Sequence, residues 1–256
     1  MCPHPAEFAS YCIGAPIPVP PTHPMKRAII IGATSGIGRA LAKQLANEGY
    51  ALGLTGRRGE LLDSLRAELP GTTVHTQVLD VARDADAMAA LRDLIARMEG
   101  LDLCIISAGV GFLNTDLDWD KESDTIGINV HGFAAMANVA LRHFILHRKG
   151  HLVGISSVAA LRGSGAAPAY NASKAFVSNY LDGLRQKVRH LKLPIAVTDV
   201  RPGFVATAMA QGSGLFWVAS PEKAAKQIAH AIRLRKRRVY VTRRWALIAA
   251  LLKLMP

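Results

Sequence analysis

Lys26-Arg27-Ala28-Ile29-Ile30-Ile31-Gly32-Ala33-Thr34-Ser35-Gly36-Ile37-Gly38 is an apolar run closing on glycine, followed by two more glycines in G-x-x-x-G-x-G spacing. A short run apolar on both sides reads as a strand buried in a parallel sheet. Arg39 to Glu48 continues the stripe of Ile37, Leu41 and Leu45 and predicts a helix. Strand, glycine turn and helix in that order form the setting of a dinucleotide site. Gly32 permits the tight turn, Gly36 lets backbone approach a pyrophosphate, and Gly38 lets helix and strand pack closely. The first N–H groups of the helix then face the phosphates, with Thr34, Ser35 and Ile37 in the same turn.

The next predicted strand, Ala51 to Thr55, ends in Gly56-Arg57-Arg58. An NAD site places an acid about twenty residues after the glycines to accept from the ribose 2′-OH. Here Gly56 stands in that place and two arginines follow, and guanidinium forks suit a 2′-phosphate. The expectation is therefore NADP(H) rather than NAD(H). After a third strand, Thr73 to Val78, Leu79-Asp80-Val81 offers a carboxylate either to the adenine amine or to the start of the next helix.

Tyr170-Asn171-Ala172-Ser173-Lys174 sets a phenol and an ammonium one helical turn apart, with Ser156 and Ser157 shortly upstream. A phenol titrates near pH ~10, and a neighbouring positive charge is expected to lower that value, which suits proton exchange with an alcohol or carbonyl oxygen. Taken alone, the pair reads first as a half-buried ring beside a solvated amine, and it is the glycine-rich segment that favours the catalytic reading.

Taken together, these segments resemble the short-chain dehydrogenase/reductase family from about Met25 to Val241. The motif order carries the resemblance: the Gly32–Gly38 turn, Ser107-Ala108-Gly109 after a fourth strand, Asn129, Ser157, Tyr170 with Lys174, then Pro202-Gly203. The family's serine lies thirteen residues before its tyrosine, which selects Ser157 over Ser156. The resemblance implies that Tyr170 is the general acid or base, and that Lys174 lowers its pKa and binds the nicotinamide ribose. It further implies that Ser157 steadies the oxyanion and that Asn129 holds a water leading from the lysine to solvent. Pro202, Gly203, Val205 and Thr207 match the segment at the nicotinamide end. Two positions depart from the family pattern: Ile31 precedes Gly32, and Ile106-Ser107 replaces a pair of asparagines, so weaker bracing of that turn is expected.

With 256 residues, half of them apolar, the chain can fill one sizeable α/β core. Alternating strand and helix patterns predict a single Rossmann-type doubly wound parallel sheet in a three-layer α/β/α domain. That domain is expected over residues 25–244, after a Pro-rich leader over 1–24 and before an apolar tail over 245–256. The leader holds seven prolines and no Lys or Arg, and it is expected to be disordered, with Met25 an alternative start. Cys2, Cys12 and Cys104 show no metal spacing, and Cys104 reads as a small buried hydrophobe. His143, His147 and His151 are expected near a helix end, and Asp116, Asp118 and Asp120 at a helix start.

The net charge of +12 concentrates in Arg233 to Arg244, where seven of twelve residues are Lys or Arg. They show no aromatic interleaving of the kind that stacks bases, Tyr240 being the single ring, so nucleic acid is not expected as a partner. Basic residues ahead of the apolar stretch Trp245 to Pro256 suit either a peripheral membrane contact or packing on a partner subunit. Gln211 to Trp217 resembles the family's mobile lid, and Leu215, Phe216 and Trp217 read either as lining for an apolar or amphipathic substrate or as core packing.

The expected activity is NADP(H)-dependent interconversion of a carbonyl and a secondary alcohol, by a homodimer or homotetramer in the cytoplasm. The rival reading is a catalytically silent NADP(H)-binding sensor or scaffold, associated with a membrane surface.

Overall fold

The computed structural model describes residues 26–209 and 216–254, without the side chains of 252–254. The Pro-rich leader, Met25, Cys2, Cys12, the lid residues Gln211 to Leu215 and the last two residues lie outside the described residues. Seven parallel strands form one sheet in the order β3-β2-β1-β4-β5-β6-β7. They are β1 (Arg27–Ile31), β2 (Ala51–Gly56), β3 (Val74–Val78), β4 (Leu103–Ile106), β5 (Gly150–Ile155), β6 (Ile195–Pro202) and β7 (Arg238–Val241).

The crossovers are α1 (Gly36–Asn47), α2 (Gly59–Ala67), α3 (Asp84–Arg97), α4 (Trp119–Ile126), α5 (Phe133–Leu146), α6 (Pro168–His190) and α7 (Pro221–Arg233), with α8 (Trp245–Leu254) at the end. The two-residue alternation of β1 explains the layering. Ile29 and Ile31 pack with Leu91 and Leu94 of α3, Met136 and Phe144 of α5, and Leu181 of α6. Ala28 and Ile30 pack on the other side with Leu41 and Leu45 of α1, Leu65 of α2 and Ile228 of α7. A sheet covered on both faces is mostly apolar along its central strands, and β1, β2, β4 and β5 are, with Thr55 and His151 the buried polar exceptions.

The strand order reverses between β1 and β4, and their diverging crossovers open a crevice at the carboxyl ends of the strands. The Ala51 strand begins where the sequence places it; α1 starts three residues earlier than read, because Gly36 already turns helical. Asp118 caps α4 by accepting from the Asp120 N–H at 3.0 Å, so the aspartate cluster does start a helix.

Candidate active site

The crevice holds a cavity of about 760 Å³, within the range of small-molecule and cofactor sites. One wall is backbone. Gly32 has φ +88°, and its N–H and that of Ala33 both donate to the Thr55 carbonyl at 3.0 and 2.8 Å. A Cβ on Gly32 would stand 2.6 Å from the Ala108 nitrogen, and one on Gly38 would run into the Gly32 carbonyl oxygen. No side chain caps the α1 N-terminus and no acid stands in its first turn, so its N–H groups open on the cavity as a phosphate requires. Ser107 and Ala108 brace this wall through their own N–H groups, both donating to the Ile31 carbonyl at 2.8 Å. The brace expected to be weakened is thus made by backbone.

Arg57 and Arg58 are exposed at the cavity's edge. Arg58 Nη2 donates to Thr34 Oγ1 at 3.1 Å, which folds its guanidinium over the glycine turn. Asp80 and Val81 line the same cavity. The Asp80 carboxylate accepts from the Ala82 N–H at 3.1 Å, and Arg83 is the residue that precedes α3, so Asp80 does not cap that helix.

The facing wall is built of side chains. α6 begins at Pro168, where a missing N–H does no harm, and presents Tyr170 and Lys174 on one inward face. Lys174 is buried; its Nζ donates to the Ile155 carbonyl at 3.2 Å and lies 5.7 Å from the centre of the Tyr170 ring. Burial pulls the ammonium down to about 8. Tyr170 departs from expectation: burial raises its pKa, and a hydrogen bond with Ser157 acts in the opposite direction. Burial of the phenol outweighs the Ser157 hydrogen bond, and the Lys174 ammonium is aimed at the Ile155 carbonyl rather than at the hydroxyl.

Ser157 lies two residues beyond β5, with Oγ accepting from the Ala159 N–H at 3.1 Å and donating to the Pro202 carbonyl at 3.4 Å. Ser156 faces the core instead, donating to Asp199 and, at 3.0 Å, to the Val200 carbonyl. Asn129 does not line the cavity but stands behind it, in a π-helical turn, Gly127–Gly132, between α4 and α5. Its Oδ1 accepts from the Val110 N–H at 2.9 Å, and its Nδ2 donates to the Val110 carbonyl at 2.8 Å and to Ser173 Oγ at 3.0 Å. The asparagine side chain therefore clamps the Gly109–Gly111 loop.

Gly32, Thr34, Ser35, Gly36, Ile37, Ser107, Ala108, Gly109, Ser157, Tyr170, Lys174, Pro202, Gly203, Val205 and Thr207 all line this one cavity. Gly38 does not; it stands behind the turn. Thr207 reaches across to Gly36, where a built Cβ would meet its methyl group at 2.9 Å. Phe112, Leu113, Phe204 and Met209 add an apolar lining that sequence reasoning missed.

A buried ion pair was also missed. Asp199 accepts from Arg201 Nε and from Ser178 Oγ, each at 2.7 Å, and Arg201 stacks over the Tyr240 ring at 5.9 Å. Alternation in β6 would place Asp199 and Arg201 on one face, but nothing local in the sequence says that this face is buried.

The C-terminal elements also divide differently from expectation. Trp245 of α8 is buried against Gly203, where a side chain would strike its indole, and it stacks on Phe216 at 5.1 Å. Phe216 and Trp217 pack around Trp245 and do not line the cavity. His147 Nδ1 hydrogen-bonds the His143 carbonyl at the end of α5, at 2.9 Å. His151 lies inside β5, bonded to Thr198 Oγ1 at 2.8 Å, and burial holds it neutral, pushed down to about 4. The described residues hold no group of ligands suited to a metal ion. They include no helix long and apolar enough to cross a membrane.

A family profile described as short chain dehydrogenase matches residues 26–215. A Myxococcus xanthus (strain DK1622) protein described as an uncharacterized oxidoreductase is 38% identical over 188 residues, covering 72% of this chain and 74% of its own. Among solved structures, a short-chain dehydrogenase from Sphingobium yanoikuyae in complex with NADPH superposes with a TM-score of 0.77 at 24% identity, covering 88% of this chain and 93% of its own. A short chain dehydrogenase/reductase from Burkholderia phymatum in complex with NAD reaches 0.78 at 22% identity, covering 88% and 92%. At these identities the two superpositions establish the fold alone.

Proposed function

The chain belongs to the short-chain dehydrogenase family of oxidoreductases, and from that premise we propose that it interconverts a carbonyl and a secondary alcohol using NADP(H). One observation carries the reading: Ser157, Tyr170 and Lys174 meet across a single cavity from an uncapped helix N-terminus. The backbone wall fits a pyrophosphate, because the glycine turn leaves no side chain between the α1 N–H groups and the cavity. Arg57 and Arg58, with Gly56 in place of an acid, support a 2′-phosphate and hence NADP(H) over NAD(H). When bound, the dinucleotide supplies or takes the hydride.

The protein's own residues handle the proton and the charge. Ser157 donates a hydrogen bond to the carbonyl oxygen as negative charge develops there. Tyr170 gives that oxygen its proton in reduction and takes one back in oxidation. Lys174, whose ammonium makes one hydrogen bond, to the Ile155 carbonyl, keeps donors for the ribose hydroxyls. Asn129 keeps the Gly109–Gly111 loop seated beside them. Phe112, Leu113, Phe204 and Met209 favour an apolar or amphipathic substrate.

The same proposal extends to assembly and location. Exposed Trp119, Ile126 and Leu146 on α4 and α5 support pairing of two copies through those helices. Leu247 and Leu251, exposed one turn apart on the outer face of α8 beyond Arg243 and Arg244, support a peripheral contact with an anionic lipid surface.

Tyr170→Phe tests the chemistry. Turnover of NADPH with a panel of apolar ketones is expected to fall roughly a thousandfold, with NADPH affinity kept. Equal turnover by the variant would remove Tyr170 from the mechanism.

A further inference from the structure

At the opposite end of the sheet, where β5, β6 and β7 begin, four arginines converge on a second hollow of about 400 Å³. Arg185, Arg189, Arg235 and Arg237 line it together with the Pro194–Val197 stretch, and no acid is among its lining residues. Two of the guanidinium groups are anchored. Arg185 donates to the Val197 carbonyl at 3.2 Å and to the Arg237 carbonyl at 3.0 Å. Arg235 donates to the Gly150 and Pro194 carbonyls at 3.2 and 3.1 Å. The nearby carboxylate, Asp182, pairs with Arg185 and Arg238 and leaves the other three pocket arginines unneutralised. Arg189 and Arg237 are exposed, and their side chains have no partner among the described residues. The positive field reaches His151 in β5, where Arg235 adds to the burial that keeps the imidazole uncharged.

Basic side chains on a solvated surface spread apart, because like charges repel. Here two are fixed by backbone carbonyls around a concave volume and two more stand free at its edge. Planar guanidinium forks match phosphate oxygens two at a time, and a dianion matches the surplus charge better than a lone carboxylate does. Pro194, Ile195 and Val197 leave an apolar floor for a small hydrocarbon portion. We propose that this hollow binds a phosphate monoester, at a site separate from the dinucleotide cavity and independent of the redox reading.

The test uses the whole chain and glycerol 3-phosphate, titrated calorimetrically against chloride at matched ionic strength. Saturable binding is expected, weakened about tenfold or more in Arg189→Ala/Arg237→Ala. The same binding is expected to persist in Arg57→Ala/Arg58→Ala, which alters only the cofactor end. Arg189 and Arg237 have no side-chain partners, so circular dichroism and melting temperature of the first variant should match the parent.

A second arm spins the protein down with phosphatidylcholine vesicles carrying phosphatidic acid. Co-sedimentation lost in Arg189→Ala/Arg237→Ala assigns the phosphate to a lipid headgroup; soluble binding without co-sedimentation assigns it to a free monoester. The proposal is overturned if neither probe binds, or if binding disappears against chloride at equal ionic strength. It is equally overturned if glycerol 3-phosphate binding survives Arg189→Ala/Arg237→Ala, or is lost in Arg57→Ala/Arg58→Ala instead.

Discussion

The turn after β1 and the inward face of α6 hold opposite sides of one cavity by different means. At the turn, the surface offered to a ligand is peptide backbone, shaped by the absence of side chains at Gly32, Gly36 and Gly38. On α6, the surface is made of buried polar side chains whose ionisation is disfavoured by their surroundings. A wall of backbone is destroyed by adding atoms. A wall of buried polar groups is strained already, and removing atoms can relieve it.

The largest expected effect breaks the backbone side. Gly38→Val would force a branched side chain into the Gly32 carbonyl, and a loss of at least about 4 kcal/mol in urea unfolding is expected, with no thermal shift from NADPH. A folded variant that still responds to NADPH would show that the turn yields more than its geometry implies.

Next comes the support behind the side-chain wall. Asp199→Ala would strand the buried Arg201 guanidinium and free Ser156 and Ser178, at an expected cost of about 3–5 kcal/mol in the same unfolding measurement. A loss under about 1 kcal/mol would mean that water reaches Arg201 and that the wall is softer than its hydrogen bonds indicate.

Lys174→Met then sharpens the contrast, because it should stabilise. The ammonium has a folded-state value of about 8 against 10.5 in the unfolded chain. Between those values the unfolded chain carries the extra proton, so stability rises with pH across that window; below about pH 8 the full penalty applies, on the order of 3 kcal/mol. The variant is expected to melt higher at neutral pH, to lose that rise above pH 8, and to lose turnover. A lower melting temperature at pH 7 would indicate that the Ile155 hydrogen bond outweighs desolvation.

Arg58→Ala is the smallest change. Its guanidinium is exposed, so stability should stay within about 0.5 kcal/mol, while NADPH binding weakens about tenfold and NADH binding stays the same. Equal weakening of both dinucleotides would take the 2′-phosphate away from this residue.

The same contrast explains what could be read in advance. A turn that excludes side chains is written in glycines, so the β1–α1 corner and the parallel sheet are legible from Ile29 to Gly38 alone. The spacing of Tyr170 and Lys174 is legible too, since a helix has a fixed period. Their ionisation is not, because it depends on burial, and that is decided by residues far away in the chain, such as Gly111 against the Tyr170 ring and Ile155 beside Lys174. Asp199 and Arg201 look like surface residues of β6 until α6 covers them. Trp245 reads as part of an apolar tail until its indole meets Gly203 and Phe204. The basic run beside it divides: Arg233 goes to Glu48, Arg238 to Asp182 and Asp199, Arg244 over the Trp217 ring, and Arg235 with Arg237 to the far end of the sheet.

The widened coil carrying Asn129 makes chain length itself a determinant. An ordinary helix advances about 100° per residue, so excising one residue between Gly127 and Gly132 could leave α4 and α5 fused and fully coiled. The asparagine would nevertheless point a quarter-turn away, and Val110 would lose both of its partners at once. Relatives differing by a single deletion here could thus keep the same shape and composition yet have an unfastened loop, a change that no comparison of residue types would register.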